Sequence, residues 1–189
     1  RALARIGTTM SNSFLPLGGL MDEILRAVDH LSRNRVGAII AIEREMGLKT
    51  YIESGMMIDA KFSAELIWSI FDPHTPTHDG AVILSGDRIA SCGSLFPLTQ
   101  STDLPPSMGT RHRAAIGITE ENDAICIVIS EETGNISIAV SGNLTRALDI
   151  ADLRKTLEGL LHPAEGKSLL QEFIEKNKRL FQFQRKPTP

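Results

Sequence analysis

The sequence predicts an α/β protein: a single globular domain with a central mixed β-sheet surrounded by helices. Residues 36–42 form a short, continuous apolar run rich in β-branched residues, which is typical of a strand covered on both faces. Residues 20–31 repeat apolar side chains at helical spacing. The chain has 189 residues, enough for one domain with a proper core and few for two.

The same patterns predict the other elements in order. Amphipathic spacing predicts four further helices, at residues 61–71, 110–118, 152–161 and 167–181. Asp59 is the predicted N-cap of the helix at 61–71, and Thr110 is the predicted cap of the helix at 110–118. Short apolar runs predict further strands at residues 81–84, 88–92, 123–130 and 136–140, the first two joined as a hairpin. Two glycines around Tyr51 and Ile52 predict irregular structure with room for one short strand over residues 47–58.

The ends of the chain differ in composition from the middle. Residues 1–19 have a basic start and a polar stretch with Gly and Pro, so we expect a linker or arm; residues 182–189 are predicted to form a frayed tail. The domain is then expected at residues 20–181. No window approaches the 18 apolar residues of a membrane helix. Because the chain begins at Arg1 and not at a methionine, we expect a soluble piece trimmed from a longer protein.

Charge and cysteine content narrow the function classes. The formal net charge of −3 argues against a general nucleic-acid binder, so no nucleic-acid partner is expected. Any anion site must therefore be a local concentration of positive charge. Cys92 and Cys126 both lie in apolar, strand-like runs, which predicts buried reduced thiols and a cytoplasmic setting.

The arginine segment, residues 109–115, holds the strongest anion-binding pattern. Arg111, His112 and Arg113 follow Gly109 and Thr110 and precede two alanines. Guanidinium groups clamp phosphate oxygens in pairs, and the N–H groups of a helix's first turn also favour an anion. The alternative is a solvated surface cluster, but such a cluster does not require small neighbours.

A second pattern, His78-Asp79-Gly80-Ala81, places an imidazole and a carboxylate at the start of a predicted strand. It is a candidate divalent-metal corner, although two protein ligands need water or phosphate to complete the shell, and an exposed His-Asp pair is the plainer alternative. Glu131 and Glu132 either close a turn or face a metal or ribose. Leu95 and Phe96 either belong to the core or pack a purine.

Together these groups suit transfer of a nucleotidyl or phosphoryl group. Catalysis of that class consists mainly of positioning and charge neutralisation by cations and a divalent metal. The sequence has no glycine-rich Walker loop. The residues alone therefore predict metal-dependent nucleotide chemistry.

At these residues the sequence resembles the diadenylate cyclase domain, the family that condenses two ATP molecules into cyclic di-AMP. The resemblance rests on two triplets, Asp79-Gly80-Ala81 and Arg111-His112-Arg113, and on Ser130 to Gly134, and it covers residues 36–141. It is nearest to the membrane-anchored branch, whose members carry transmembrane helices ahead of the catalytic domain. It implies that the full-length protein lies at the cytoplasmic face of the cell membrane, attached through a removed N-terminal segment.

The resemblance also implies roles for individual residues. Asp79 would activate the ribose 3′-hydroxyl, and Arg111 and His112 would act with it in catalysis. The divalent metal, Mn²⁺ or Mg²⁺ with Co²⁺ as a further candidate, would be held by His78, Asp79 and Glu131. The ATP-binding residues would be Gly80, Ala81, Leu95, Phe96, Gly109, Thr110, Arg111, His112, Arg113, Ser130 and Glu131. Relatives often have a tyrosine and then an aliphatic residue where this sequence has Leu95 and Phe96, which bears on base stacking.

The product's two-fold symmetry implies a partner. Each ATP must offer its 3′-hydroxyl to the other's α-phosphate, so we expect two domains to meet face to face as a homodimer. Members of the branch are also associated with a membrane regulator and a sugar-phosphate mutase. Two alternatives stay open: a nucleotide- or cyclic-dinucleotide-sensing module without the reaction, and a metal-dependent phosphohydrolase, for which the sequence offers few His and Asp ligands.

Overall fold

The computed structural model describes residues 17–102, 104–105 and 108–161. Within them lie five helices and seven strands. In chain order they are α1 (Leu17–Arg33), β1 (Ala38–Ile42), α2 (Lys49–Ser54), β2 (Met56–Lys61), α3 (Ala64–Phe71), β3 (Ala81–Ser85), β4 (Arg88–Ser94), α4 (Thr110–Glu121), β5 (Ile125–Ile129), β6 (Ile136–Val140), β7 (Asn143–Leu148) and α5 (Ile150–Leu161).

The strands form one mixed sheet in the order β2-β4-β3-β1-β5-β6-β7. β1 runs parallel to β3, with Ile40 opposite Val82. On its other side β1 runs antiparallel to β5, with Ala38 opposite Ile129. The predicted α/β class with a central mixed sheet is therefore confirmed.

Side-chain alternation along the central strands divides the core into two layers. In β1, Ala38, Ile40 and Ile42 pack with α1, α3 and α5 on one face of the sheet. Ile39 and Ala41 point to the opposite face and pack with α4 and with residues of α2. Helices thus cover both faces, and α4 lies on the face that carries the candidate site.

Several sequence predictions are confirmed. β3 and β4 form the predicted hairpin, with Ser85 opposite Arg88 across the turn. Strands β5 and β6 lie within or at the predicted ranges, and α4 begins at the predicted residue. Cys92 and Cys126 are buried free thiols. Burial raises the pKa of both thiols, which keeps them protonated and unreactive.

The prediction of irregular structure around Tyr51 and Ile52 is wrong. Both residues lie in α2, whose first turn is closed by hydrogen bonds from their N–H groups to the Leu48 carbonyl, each 2.9 Å long. Leu48 is fully buried, and Tyr51 and Ile52 pack against the same apolar cluster. A six-residue helix is too short to show helical periodicity, so tertiary packing decides its conformation.

The prediction that Asp59 caps a helix beginning at residue 61 is also wrong. Asp59 lies within β2, where its carboxylate accepts a hydrogen bond from Arg88 of β4 at 2.6 Å. Helix α3 begins later, and its N-cap is Ser63, whose hydroxyl accepts from the Leu66 N–H at 3.3 Å. Glu23 of α1 accepts a second free N–H of this terminus, that of Ala64, at 2.8 Å.

The ends of the described chain add two differences. Helix α1 begins at Leu17, so residues 17–19 belong to it and not to the predicted arm. Strand β7 was not predicted. The predicted helix at residues 167–181 and the predicted tail at 182–189 lie outside the described residues, as does the arm before residue 17. Across the described ranges, no helix combines the length and apolarity that a membrane crossing requires.

Candidate active site

The first turn of α4 separates two pockets on the α4 side of the sheet. Thr110 and Arg111 line both of them. Gly109, not Thr110, is the N-cap, and it has no side chain to cap the helix, so the predicted Thr110 cap is wrong. The arginine segment does lie in the first helical turn, as predicted, where backbone N–H groups favour an anion.

The larger pocket, here called the Ser130 pocket, has a volume of about 250 Å³. It lies between the start of α4 and the turn that follows β5. This pocket brings together the predicted residues Gly109, Thr110, Arg111, His112, Ser130 and Glu131. Because cation, hydroxyl and helix N-terminus converge here, the pocket suits a chain of phosphates.

The second pocket, here called the Asp79 pocket, has a volume of about 200 Å³. It contains the predicted residues Asp79, Gly80, Ala81, Leu95 and Phe96. Leu95 is 69% exposed, so the core alternative is wrong for it, whereas Phe96 is partly buried against the α4-side cluster. An exposed carboxylate beside an apolar wall suits a nucleoside, which offers hydroxyls and a flat apolar base.

Close backbone contact shapes the Asp79 pocket where β3 begins. Gly80 has a φ of +110°, a conformation that side chains rarely adopt. A Cβ built there would lie 2.6–2.9 Å from the backbone of Gly93 in β4. Only glycine fits at residue 80, and its conformation sets the direction in which the chain leaves Asp79.

Arg111 and Glu131 join the two sides of the site. The Arg111 guanidinium donates to a Glu131 carboxylate oxygen at 2.7 Å, with 22% of the arginine side chain and 64% of the glutamate side chain exposed. The residues are 20 positions apart in the sequence and meet because α4 packs beside the end of β5. A partly buried guanidinium already oriented by a carboxylate is well placed to bind an anion in either pocket.

Arg113 contacts the loop after β4, unlike Arg111 and His112, which line the Ser130 pocket. It lines neither pocket in the part of the chain that the structure describes. Its guanidinium lies 3.4 Å from the carbonyl oxygen of Thr99, and the Thr99 N–H donates to the Arg113 carbonyl at 3.1 Å. Arg113 therefore holds the loop after β4 against α4, and its assignment as an ATP-binding residue stays a prediction.

The predicted metal ligands are not gathered in one place. Glu131 lines the Ser130 pocket and Asp79 the other pocket, while His78 lines neither, and the described residues contain no cluster of three or more metal-binding side chains. Nδ1 of His78 lies 2.6 Å from the Thr75 carbonyl oxygen, which can only accept, so Nδ1 donates and Nε2 is the ring nitrogen that could hold a metal ion. His78 and Asp79 are neighbours in the chain and could hold a divalent ion together, whereas Glu131 lies in the other pocket.

Sequence reasoning missed several residues that line these pockets. Ser137 and Asn135 belong to the Ser130 pocket, and Ile39 and Ser94 to the Asp79 pocket. Ser137 is a hydroxyl residue inside an otherwise apolar strand, and that exception was a usable signal. Ile39 has no such signal, because its position in the site depends on the face of β1 that meets α4.

Comparison with known proteins places the chain in a family. The family model described as "DisA bacterial checkpoint controller nucleotide-binding" matches residues 25–144. The cyclic di-AMP synthase CdaA of Bacillus subtilis is 44% identical over 138 residues, covering 73% of this chain and 50% of that protein. A diadenylate cyclase of Listeria monocytogenes is 46% identical over 138 residues, with the same coverage of 73% and 50%.

A solved structure agrees with these relatives. The crystal structure of a double mutant of DacA from Staphylococcus aureus matches with a TM-score of 0.72 and 42% identity, covering 74% of this chain and 93% of that one. The chain spans about half the length of the curated relatives it matches. The matched range contains both pockets and both triplets that define them. The chain therefore belongs to the DAC family, the DisA bacterial checkpoint controller nucleotide-binding proteins.

Proposed function

We propose that this domain is a diadenylate cyclase, which condenses two ATP molecules into cyclic di-AMP and two pyrophosphates. The observation that carries the proposal is the shared position of Thr110 and Arg111 between two pockets of different chemistry. One ATP would place its triphosphate in the Ser130 pocket and its nucleoside in the Asp79 pocket, with Arg111 at the phosphates that join them. The names of the relatives support this reaction.

The condensation of two ATP molecules requires two copies of the domain. In each half-reaction a ribose 3′-oxygen forms a bond to the other nucleotide's α-phosphorus, and the bond from that phosphorus to the pyrophosphate oxygen breaks. Asp79, which is exposed and lines its pocket, would orient the 3′-hydroxyl and accept its proton. One domain holding one ATP cannot supply both nucleophile and electrophile, so two domains must face each other, most simply about a two-fold axis.

Charge neutralisation falls to Arg111 and to a divalent ion. Arg111 would stabilise the charge that develops on the departing pyrophosphate, as cations do in reactions of this class. His78 and Asp79 would hold Mg²⁺ or Mn²⁺, with Co²⁺ as a further candidate; Glu131, the third predicted ligand, lies in the other pocket and pairs with Arg111. The ion would supply Lewis-acid neutralisation of the phosphate oxygens when bound.

The membrane setting and further partners belong to the same proposal. We infer a full-length protein attached to the cell membrane through its N-terminal side, with this domain on the cytoplasmic face. A Bacillus cereus structure described as a hypothetical membrane spanning protein, 43% identical, supports that inference. A membrane regulator and a sugar-phosphate mutase remain proposed partners, and no interface residues are assigned to them.

The test is incubation with ATP and Mg²⁺ or Mn²⁺ over a wide range of protein concentrations, with products separated by mass. Cyclic di-AMP formed at a rate that rises faster than linearly with protein would establish both the reaction and the facing pair. ATP bound but unchanged at every concentration would favour a nucleotide-sensing module. Release of phosphate or AMP would favour a phosphohydrolase, and either result would overturn the proposal.

A further inference from the structure

Gly37, the residue before β1, lies directly beneath the Arg111–Glu131 ion pair. A Cβ built on Gly37 would lie 2.7 Å from Nη1 of Arg111, 2.8 Å from Oε2 of Glu131 and 3.0 Å from Cβ of Glu131. Real Cβ atoms essentially never come closer than 3.0 Å to such neighbours. The three nearest atoms all belong to the side chains of the pair, and none belongs to the backbone.

The strand register explains this placement. Ile39 and Ala41 pack on the α4 side of the sheet, and the alternation of a strand places residue 37 on the same side. Ala38 is opposite Ile129 in the antiparallel ladder, so the next step along it brings Gly37 opposite Ser130. Gly37 therefore forms part of the floor under the residues that separate the two pockets.

Glycine is needed at residue 37 because a side chain would collide with its neighbours, and not because of its backbone conformation. Gly37 is not among the glycines with positive φ, so an alanine could adopt its backbone conformation. Gly80 is different, because its φ is positive and its missing Cβ would meet backbone. At residue 37 a methyl group would instead displace two side-chain ends, Nη1 of Arg111 and Oε2 of Glu131, and would press Cβ of Glu131 back by a few tenths of an ångström.

We propose that Gly37 is a positioning residue for the phosphate-binding arginine. Because Gly37 has no side chain, the Arg111 side chain can lie directly on the backbone at residue 37 while it pairs with Glu131. This contact holds the guanidinium between the two pockets. A methyl group at residue 37 would push the Arg111 guanidinium and the Glu131 carboxylate away from the backbone. The guanidinium would then no longer lie where the proposed triphosphate binds. This inference rests on the proposed function, because it assigns Gly37 a role in binding that nucleotide.

The test is Gly37→Ala, assayed with 3′-deoxy-ATP and Mg²⁺ by calorimetry. This probe lacks the attacking hydroxyl and so is not consumed. We expect affinity to fall about tenfold, since one misplaced charge-assisted hydrogen bond is worth at least that factor. The melting temperature should stay within about 5 °C of wild type, because two of the three contacts are side-chain ends that can move and Cβ of Glu131 must give by only a few tenths of an ångström. Gly159→Ala is the matched control, since a Cβ there meets nothing within 4 Å.

A second comparison separates positioning from a general effect. In an Arg111→Ala background the Gly37→Ala change should alter affinity less than about threefold, because the side chain through which it acts is gone. Unchanged or tighter binding of the single variant, an undiminished effect in the Arg111→Ala background, or a melt lowered by more than about 5 °C would overturn the inference. If wild type binds the probe and makes cyclic di-AMP, such results leave the proposed function standing. If wild type neither binds the probe nor makes cyclic di-AMP, both fail.

Discussion

Nη1 of Arg111 and Oε2 of Glu131 lie 2.7 Å apart, which ties the first turn of α4 to the turn after β5. This contact lies at the boundary between the Ser130 pocket and the Asp79 pocket, because Arg111 lines both and Glu131 lines the first. In the proposed reaction the triphosphate competes with Glu131 for the same guanidinium. The pair therefore keeps the cation oriented before the nucleotide arrives.

Replacing Arg111 with alanine should weaken nucleotide binding more than it affects the fold. We expect affinity for 3′-deoxy-ATP to fall about 10- to 100-fold, which corresponds to the usual 1.5–3 kcal/mol of a hydrogen bond to a charged group. Calorimetry measures the affinity. Arg33→Ala is the matched control, since Arg33 also pairs with a carboxylate, Asp29 at 2.9 Å, but lines neither pocket. Equal affinity of the Arg111 variant and wild type would contradict the phosphate assignment.

Replacing Asp79 with asparagine should abolish turnover and spare the fold. The amide has nearly the same shape but cannot accept the 3′-hydroxyl proton, and Asp79 is exposed, so little packing is lost. A cyclase assay beside a thermal melt tests both statements. Asp22→Asn makes the same chemical change on α1, where Asp22 pairs with Arg154, and should retain turnover. Full activity of the Asp79 variant, or a collapsed melt, would count against the role.

Gly117→Ala should destabilise the protein strongly. Gly117 lies in α4, and a Cβ there would be 2.1 Å from the carbonyl oxygen of Pro97 and 2.8 Å from the Thr99 nitrogen. These are backbone atoms of the loop that carries the apolar wall of the Asp79 pocket, so they cannot withdraw without moving it. We expect a loss of about 2–3 kcal/mol in the free energy of unfolding, measured by urea titration.

The control for this change is Gly159→Ala in α5, where a Cβ would meet nothing within 4 Å. Alanine is the better helix former, so the free energy of unfolding should rise by about 0.5–1 kcal/mol. Opposite signs at the two glycines would show that contact with Pro97, and not helix propensity, decides the first result. A stabilised Gly117 variant would contradict the packing described here.

Stability should fall in acid partly through Glu23. Its pKa is lowered, first by the hydrogen bond from the Ala64 N–H and then by Arg26, so the folded state binds this proton less readily than the unfolded chain. The contribution is therefore present at neutral pH and is lost as the pH falls from the ordinary Glu pKa of about 4.3 through the lower pKa of the folded state.

Thermal melts of wild type and Glu23→Gln between pH 7 and pH 3 measure this contribution. Wild type should melt higher at pH 7, and the difference should shrink as Glu23 is protonated. Glu53→Gln is the matched control, because Glu53 forms only an exposed pair with Lys49 at 3.8 Å. A difference that stays constant across this range would contradict the assignment to Glu23.

Much of the site was predictable because it lies in short continuous segments. Residues 78–81 and 109–113 carry their chemistry in adjacent side chains, and local propensity alone predicts a strand after the first and a helix at the second. The hairpin of β3 and β4 was predictable for the same reason, since two apolar runs flank a turn containing Gly86. Such patterns depend only on neighbours in the chain.

Other features depend on contacts that the sequence does not display. The Ser63 cap, the short helix α2 and the absence of a joint metal cluster in the described residues follow from which surfaces meet on packing. The same holds for the exposure of Leu95.

The sequence by itself determined the α/β class and the chemical character of the two triplets, because composition and periodicity are local properties. Only the tertiary structure decided that Arg111 meets Glu131 above Gly37, because that contact requires the register of β1 against β5 and the packing of α4 on the sheet.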